Sequence, residues 1–226
     1  LKTDYIDLYQ LHWPERITNT FGKRDFDSSV NDKWEENFEN VLFNLKTIIS
    51  SGKVRQIGIS NENPWAFMKY LELSKKKLPK TITIQNPYSL LNRLFEIGNS
   101  EICMREDVGL LAYSPLGFGV LSGKYLNGNM PEDSRLKLFP NLSRFSGENS
   151  MKATSMYYNI SKKHDLSLTQ MALSFVNSRP FVTSNIIGAS KLNQLKENIE
   201  SINIDLSEDA LKDINEVHKI IPNPAP

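Results

Sequence analysis

The 226-residue sequence predicts an α/β fold in which parallel strands alternate with helices. Short apolar segments with strand character recur along the chain, and stretches with the three-and-four spacing of amphipathic helices lie between them. Strands that are separated by a helix pair in parallel through right-handed crossovers. Two architectures fit this alternation, an open doubly wound sheet and a (β/α) barrel.

Five segments are predicted as strands, and helical patterns fill most of the chain between them. The predicted strands are residues 5–12, 54–59, 81–84, 109–113 and 184–187. The predicted helices are residues 34–51, 64–74, 90–106, 151–164, 167–177, 191–202 and 208–219. The stretch 114–150 has no periodic pattern and is rich in glycine, proline and charge, which is typical of a long functional loop.

Three helix starts carry capping signals. Asp32 with Glu35, and Ser167 with Gln170, have the spacing of a capping box. A proline follows Asn63 at the first position of its helix, where the missing N–H costs nothing. These signals predict where the helices that follow the first and second strands, and the helix at 167–177, begin.

Composition excludes several classes of protein. The net charge of +1 gives no basic field for nucleic acid. The one cysteine, Cys103, excludes a disulfide framework, and no histidine accompanies it as a nucleophile's partner would, so we expect a small buried residue. No spacing of histidines or carboxylates indicates a metal. No apolar stretch approaches the roughly 20 residues of a membrane span and no signal peptide opens the chain, so we expect a cytoplasmic protein without a membrane partner.

Polar side chains or glycines follow every predicted strand. These strand-end residues are His12, Ser60 with Asn61, Gln85 with Asn86, Tyr113 with Ser114, and Gly188 to Ser190. In a barrel such ends meet on one face, where active sites are built. A dinucleotide-binding doubly wound sheet would need a glycine-rich turn, and Gly117 with Gly119 lacks the third glycine. The pattern therefore favours the barrel.

Five ordered motifs carry a resemblance to a known family. They are LHWP at 11–14, GKVRQIGISN at 52–61, IQNPYSLL at 84–91, AYSPL at 112–116, and GAS at 188–190 with QLKEN at 194–198. This set resembles the aldo-keto reductases, in particular the bacterial Tas-type branch and the potassium-channel β subunits. The resemblance implies a (β/α)8 barrel of the TIM type, truncated at its N-terminal side to about five strands. Residues 1–226 would form the C-terminal portion of that domain, from the fourth barrel strand onward.

The resemblance also implies a catalytic residue and a cofactor. The family uses an Asp, Tyr, Lys and His tetrad with NADPH to reduce small aldehydes and ketones. His12 matches the histidine that orients the substrate carbonyl, and no position matches the other three.

Two sets of cofactor-binding residues follow from the same resemblance. The nicotinamide set is Ser60, Asn61, Gln85 and Tyr113. The phosphate and adenosine set is Ser114, Pro115, Leu116, Gly117, Lys124, Arg135, Gly188, Ala189, Ser190, Gln194, Glu197 and Asn198. Amide and hydroxyl side chains can both donate to and accept from a carboxamide, and a 2′-phosphate suits a helix N-terminus.

Each of these residues also has a structural interpretation. His12 alone would more often be a structural histidine, and the other strand-end residues would simply end their strands. The polar residues of 194–198 would form one exposed helix face. Lys124 and Arg135 lie in the long loop, where a solvated charge is the usual state.

Three functional hypotheses remain at this point. The first is an NADPH-dependent aldehyde and ketone reductase whose isolated 226-residue chain is inactive. The second is a non-catalytic dinucleotide-binding module or a channel-β-like partner subunit. The third is an inactive fragment whose two open sheet edges favour self-association.

Overall fold

The computed structural model describes residues 2–140 and 143–226. Its strands are β1 (Ile6–Leu11), β2 (Val54–Ser60), β3 (Thr81–Pro87), β4 (Gly109–Tyr113) and β5 (Val182–Asn185). They form a sheet in the order β1-β2-β3-β4-β5, and β2 pairs in parallel with both β1 and β3. The predicted α/β class with parallel strands is confirmed, although β5 begins two residues before the predicted strand.

The helices of the described residues follow the predicted alternation, but the helix predicted over 90–106 begins only at Asn99. They are α1 (Phe38–Ser50), α2 (Pro64–Ser74), α3 (Asn99–Glu106), α4 (Arg135–Leu138), α5 (Glu148–Lys163), α6 (Leu168–Asn177), α7 (Leu192–Glu200) and α8 (Glu208–Ile220). Short 3-10 helices occur at Leu94–Glu96, Gly117–Ser122, Leu126–Gly128, Ser143–Phe145 and Ser201–Asn203. The stretch 114–150, predicted as a loop, is therefore built largely from short helical turns.

The chain divides into two compact units. The first contains residues 1–86 and 96–111, and the second contains residues 87–95 and 112–226.

In the first unit, α1 packs against a largely buried β2 and against α2. Leu42 of α1, Ile57 of β2 and Phe67 of α2 are almost completely buried. Burial of each such side chain stabilises the fold by roughly 1.5–3 kcal/mol. The apolar stripe that predicts α1 is thus its buried face.

The predicted start of α1 is wrong. The helix begins at Phe38, because Asp32 is used elsewhere: its carboxylate accepts the backbone N–H of Trp34 at 3.0 Å and that of Ile17 at 2.7 Å. Asp32 therefore holds the preceding loop instead of capping the helix.

In the second unit, α6 is buried along most of its length. Its predicted capping box is confirmed: the N–H of Gln170 donates to Oγ of Ser167 at 3.0 Å, and the Gln170 side chain accepts the N–H of Ser167. Tyr88 and Tyr157 are fully buried in this unit, and the hydroxyl of Tyr157 donates to the carbonyl of Leu90 at 3.2 Å.

Candidate functional site

His12 directly follows β1 and is exposed. Its carbonyl oxygen accepts a hydrogen bond from Nδ2 of Asn61 at 2.7 Å. Its ring stacks on Trp13, with the ring centroids 4.3 Å apart. The backbone of His12 is therefore anchored while the imidazole remains accessible.

The polar residues that follow β2 and β3 bond to one another. Oγ of Ser60 donates to the carbonyl of Gln85 at 2.7 Å, and the N–H of Asn61 donates to the same carbonyl at 3.0 Å. Nδ2 of Asn61 also donates to Oγ of Ser60 at 3.0 Å. Asn61 adopts a φ of 58°, a left-handed conformation that Asn tolerates and that recurs at functional sites. The first unit thus brings His12, Ser60, Asn61 and Gln85 together; we call these four residues the strand-end cluster.

A row of polar side chains lies behind Gln85, and sequence reasoning missed it. Nε2 of Gln85 donates to Oε1 of Gln10 at 2.8 Å, and Nε2 of Gln10 is 3.4 Å from Oγ1 of Thr83. Gly58 lies opposite Gln10 and Thr83 on the neighbouring strands, and a Cβ on it would come within 2.3 Å of Oγ1 of Thr83. Gln10 and Gly58, which interrupt apolar strands, were the sequence signal for this row.

A buried ion pair lies beside the strand-end cluster, and nothing in the sequence pattern indicated it. The guanidinium of Arg16 contacts both carboxylate oxygens of Glu62, at 3.1 and 2.7 Å, and the side chains are 9% and 5% exposed. Burial raises the pKa of Glu62, while the hydrogen bond and charge of Arg16 act in the opposite direction. A cavity of about 330 Å³ is lined by this pair together with His12 and Ser60.

In the second unit, Tyr113 ends β4 and is half-buried. Burial raises the pKa of its hydroxyl, which a hydrogen bond and the charge of Arg144 partly offset. Ser114 follows in a left-handed conformation with φ 54°, and its carbonyl accepts the N–H of Gly117 at 2.9 Å. Residues 114–117, which include Pro115 and Leu116, therefore make a tight turn after the strand.

Lys124 and Arg135 both border the turn at 117–119. A Cβ on Gly119, whose φ is 89°, would lie 2.9 Å from Cε of Lys124. The guanidinium of Arg135 lies 4.1 Å from the ring centroid of Phe118. Lys124 is half-buried and Arg135 is exposed, so the two cations flank one backbone turn.

The predicted adenosine residues fall into two hydrogen-bonded groups near α7. Oε1 of Gln194 accepts from the N–H of Ser190 at 3.2 Å and lies 3.3 Å from its Oγ. Nδ2 of Asn198 donates to the carbonyl of Gly188 at 3.3 Å.

The helix predicted over 191–202 begins one residue later, at Leu192, with Lys191 as its N-cap. One structural interpretation of this segment is corrected. The polar residues of 194–198 do not form one exposed face, since Asn198 is buried and the Glu197 carboxylate accepts from the Ser167 hydroxyl at 2.5 Å. Gly188, Ala189 and Ser190 are exposed.

Three further observations bear on chemistry. Cys103 is buried, as expected, and desolvation raises the pKa of its thiol to about 12. Within residues 2–140 and 143–226, no group of three or more metal-ligating side chains could hold a metal ion. No helix in the described part of the chain is both long enough and apolar enough to cross a membrane.

Comparison with known proteins places these elements in a family. Residues 1–219 match the model of the aldo/keto reductase family. "Protein tas" of Escherichia coli strain K12 is 49% identical over 227 residues, covering 100% of this chain and 65% of that protein. An "Aldo-keto reductase" of Babesia bovis is 39% identical over 236 residues, covering 96% of this chain and 82% of that protein. The family's fold is the (β/α)8 barrel, the class that the sequence predicts. The chain therefore belongs to the aldo/keto reductase family.

Proposed function

We propose that this chain carries the cofactor-binding residues and the carbonyl-orienting histidine of an NADPH-dependent aldehyde and ketone reductase. Family membership supports an oxidoreductase. Two similar proteins of Escherichia coli strain K12 are named as reductases: "L-glyceraldehyde 3-phosphate reductase", 36% identical over 166 residues, and "NADH-specific methylglyoxal reductase", 27% identical over 211 residues.

The strand-end cluster is the observation that carries the proposal. Hydrogen bonds tie the end of β1 to the end of β2, and the end of β2 to that of β3, so the side chains of Ser60 and Asn61 and the backbone at His12 and Gln85 are held in place. Gln85 is half-buried, and its Nε2 donates to Oε1 of Gln10. No described residue donates to Oε1 of Gln85. Such an acceptor suits the amide group of a nicotinamide carboxamide.

The second unit offers groups that fit phosphates. Half-buried Lys124 and exposed Arg135 flank the turn at 117–119, and two cations beside one turn favour an anion. We propose that Ser114, Pro115, Leu116 and Gly117 contact the pyrophosphate there. Gly188, Ala189 and Ser190, with Gln194, Glu197 and Asn198, would bind the adenosine end.

In this proposal His12 orients the substrate. Bound NADPH would supply the hydride. The exposed imidazole can donate a ring N–H to a carbonyl oxygen, and the Asn61 bond to the His12 carbonyl fixes the backbone from which it does so. No residue here matches the tyrosine that would supply the proton, so the 226-residue chain alone would bind cofactor without turnover.

The experiment is a fluorescence titration of the 226-residue chain with NADPH and NADH, combined with a turnover assay on an aromatic aldehyde. We expect saturable quenching by NADPH, at least tenfold weaker binding in Gln85→Glu, and no change in Gln56→Glu, because Gln56 is an exposed glutamine of β2. No saturable quenching would contradict the binding proposal and favour an inactive fragment. Steady turnover that His12→Ala abolishes would contradict the expected inactivity of the isolated chain.

A further inference from the structure

A second cavity in the first unit lies between the loop after β1 and the start of α2. Its volume is about 560 Å³, within the range of roughly 300–1,000 Å³ that small-molecule sites occupy. Arg16 and Trp34 line both this cavity and the cavity that contains His12. His12 itself and the rest of the strand-end cluster do not line it.

The walls of this second cavity are aromatic and aliphatic. Trp34, Trp65 and Phe26 contribute rings, and Ile17 and Val30 contribute aliphatic side chains. Phe26 is 64% exposed and Trp65 is 50% exposed, although both are large apolar residues. Large apolar side chains that gather on an exposed concave surface mark a binding site more often than chance exposure.

The uncompensated charge of the lining is negative. Asp27 and Asp32 both line the cavity. Arg16, the one cation among the described lining residues, has its charge matched by the bidentate bond to Glu62. Oδ1 of Asp27 accepts from the N–H and the hydroxyl of Ser29, which leaves its Oδ2 without a partner in the described chain.

This charge argues against an anion, although the cavity includes the first residue of α2. The carboxylates of Asp27 and Asp32 would repel an anion from that helix N-terminus. The Asn63 side chain, which precedes the helix, donates instead to Thr18 and Asn19 at 2.5 and 2.7 Å. The hydrogen bonds from Ser29 lower the pKa of Asp27, and the charge of Lys23 lowers it further.

We propose that the second cavity binds a flat organic cation, namely an aromatic ring that bears an ammonium group. The ring would pack against Trp34, Trp65 and Phe26, where the negative faces of aromatic rings also attract a cation. The ammonium, a donor of three hydrogen bonds, would bind the carboxylates of Asp27 and Asp32, which only accept. This site does not depend on the proposed reductase function.

The test uses 2-phenylethylammonium as the probe and 2-phenylethanol as its uncharged counterpart. The chain has three tryptophans, of which two line the cavity, so a Trp13→Phe background confines the fluorescence signal to Trp34 and Trp65. We expect a saturable change with the cation and at least tenfold weaker binding of the alcohol. Asp27→Asn should weaken cation binding about tenfold, and Asp205→Asn, an exposed aspartate in the other unit, should leave it unchanged.

Asp32→Asn is the second variant, with circular dichroism as a check on folding, because Asp32 also accepts two backbone N–H groups of the loop. Equal affinity for the alcohol and the cation would overturn the proposal, as would the absence of saturable binding. Cation binding that is unchanged in Asp27→Asn would overturn it as well.

Discussion

The buried ion pair between Arg16 and Glu62 gives the sharpest prediction about stability. Replacing Arg16 by Met keeps a long apolar side chain but leaves the Glu62 carboxylate buried without its partner. Both side chains are more than nine-tenths buried, so the loss should be that of a broken buried pair, about 3–5 kcal/mol in the free energy of unfolding. Breaking the exposed pair of Arg105 and Glu101, whose side chains are 74% and 66% exposed, should cost no more than about 0.5 kcal/mol.

The loss should depend on pH in a defined direction. Burial already raises the pKa of Glu62 in the folded chain, and removing Arg16 raises it further. A carboxyl group whose pKa is higher in the folded state binds more protons there, so the folded state is favoured at low pH. The Arg16→Met variant should therefore lose stability as pH rises from about 4, near the pKa of an unfolded glutamate, through the raised pKa of the folded state.

Urea unfolding of wild type, Arg16→Met, Arg105→Met and the double variant Arg16→Met with Glu62→Gln measures this prediction at several pH values. The double variant should recover much of the loss and should lack the pH dependence, because no buried carboxylate remains. A loss in Arg16→Met equal to that in Arg105→Met, or a loss independent of pH, would refute the reasoning.

Three further predictions concern other parts of the chain. Gly58→Ala should destabilise the first unit by about 1–3 kcal/mol, because its Cβ would lie 2.3 Å from Oγ1 of Thr83. Gly188→Ala is the control: a Cβ there would have no atom within 4 Å, so the free energy of unfolding should change by less than about 0.5 kcal/mol. Cys103 should react with a thiol reagent only when the chain unfolds, since it is buried and the pKa of its thiol is about 12; rapid labelling of the folded chain would contradict this. The exposed side chains of Leu192 and Ile199 on α7 should promote association that depends on protein concentration. A double Leu192→Lys, Ile199→Lys variant should therefore shift the mass measured by light scattering toward that of the monomer. An unchanged mass would assign the association to another surface.

Local patterns predicted the elements whose residues interact mainly with their neighbours in sequence. The capping box at Ser167 and the proline start of α2 are such cases, and both are confirmed. The predicted start of α1 was wrong because Asp32 could either cap the helix or hold the preceding loop. In the structure its carboxylate accepts the N–H of Ile17 across the loop, so it holds the loop. The short helical turns in 114–150 depend on residues with positive φ, such as Phe118 and Asn127, which no periodicity reveals.

The candidate site divides in the same way. The strand-end residues could be predicted because parallel strands of one sheet place their carboxyl ends side by side. The pair of Arg16 and Glu62 could not, since the partners are 46 residues apart and neither belongs to a periodic pattern. The row of Gln10, Thr83 and Gln85 could have been found from the polar and glycine residues that interrupt the apolar strands.

Hydrogen exchange of the 226-residue chain with and without NADPH tests the cofactor-binding proposal most directly. It predicts slower exchange on NADPH binding in the segments that contain Ser60 with Asn61, Gln85, and the turn at 117–119. Bound NADPH that leaves all three segments unchanged, or that slows exchange only elsewhere, would contradict it.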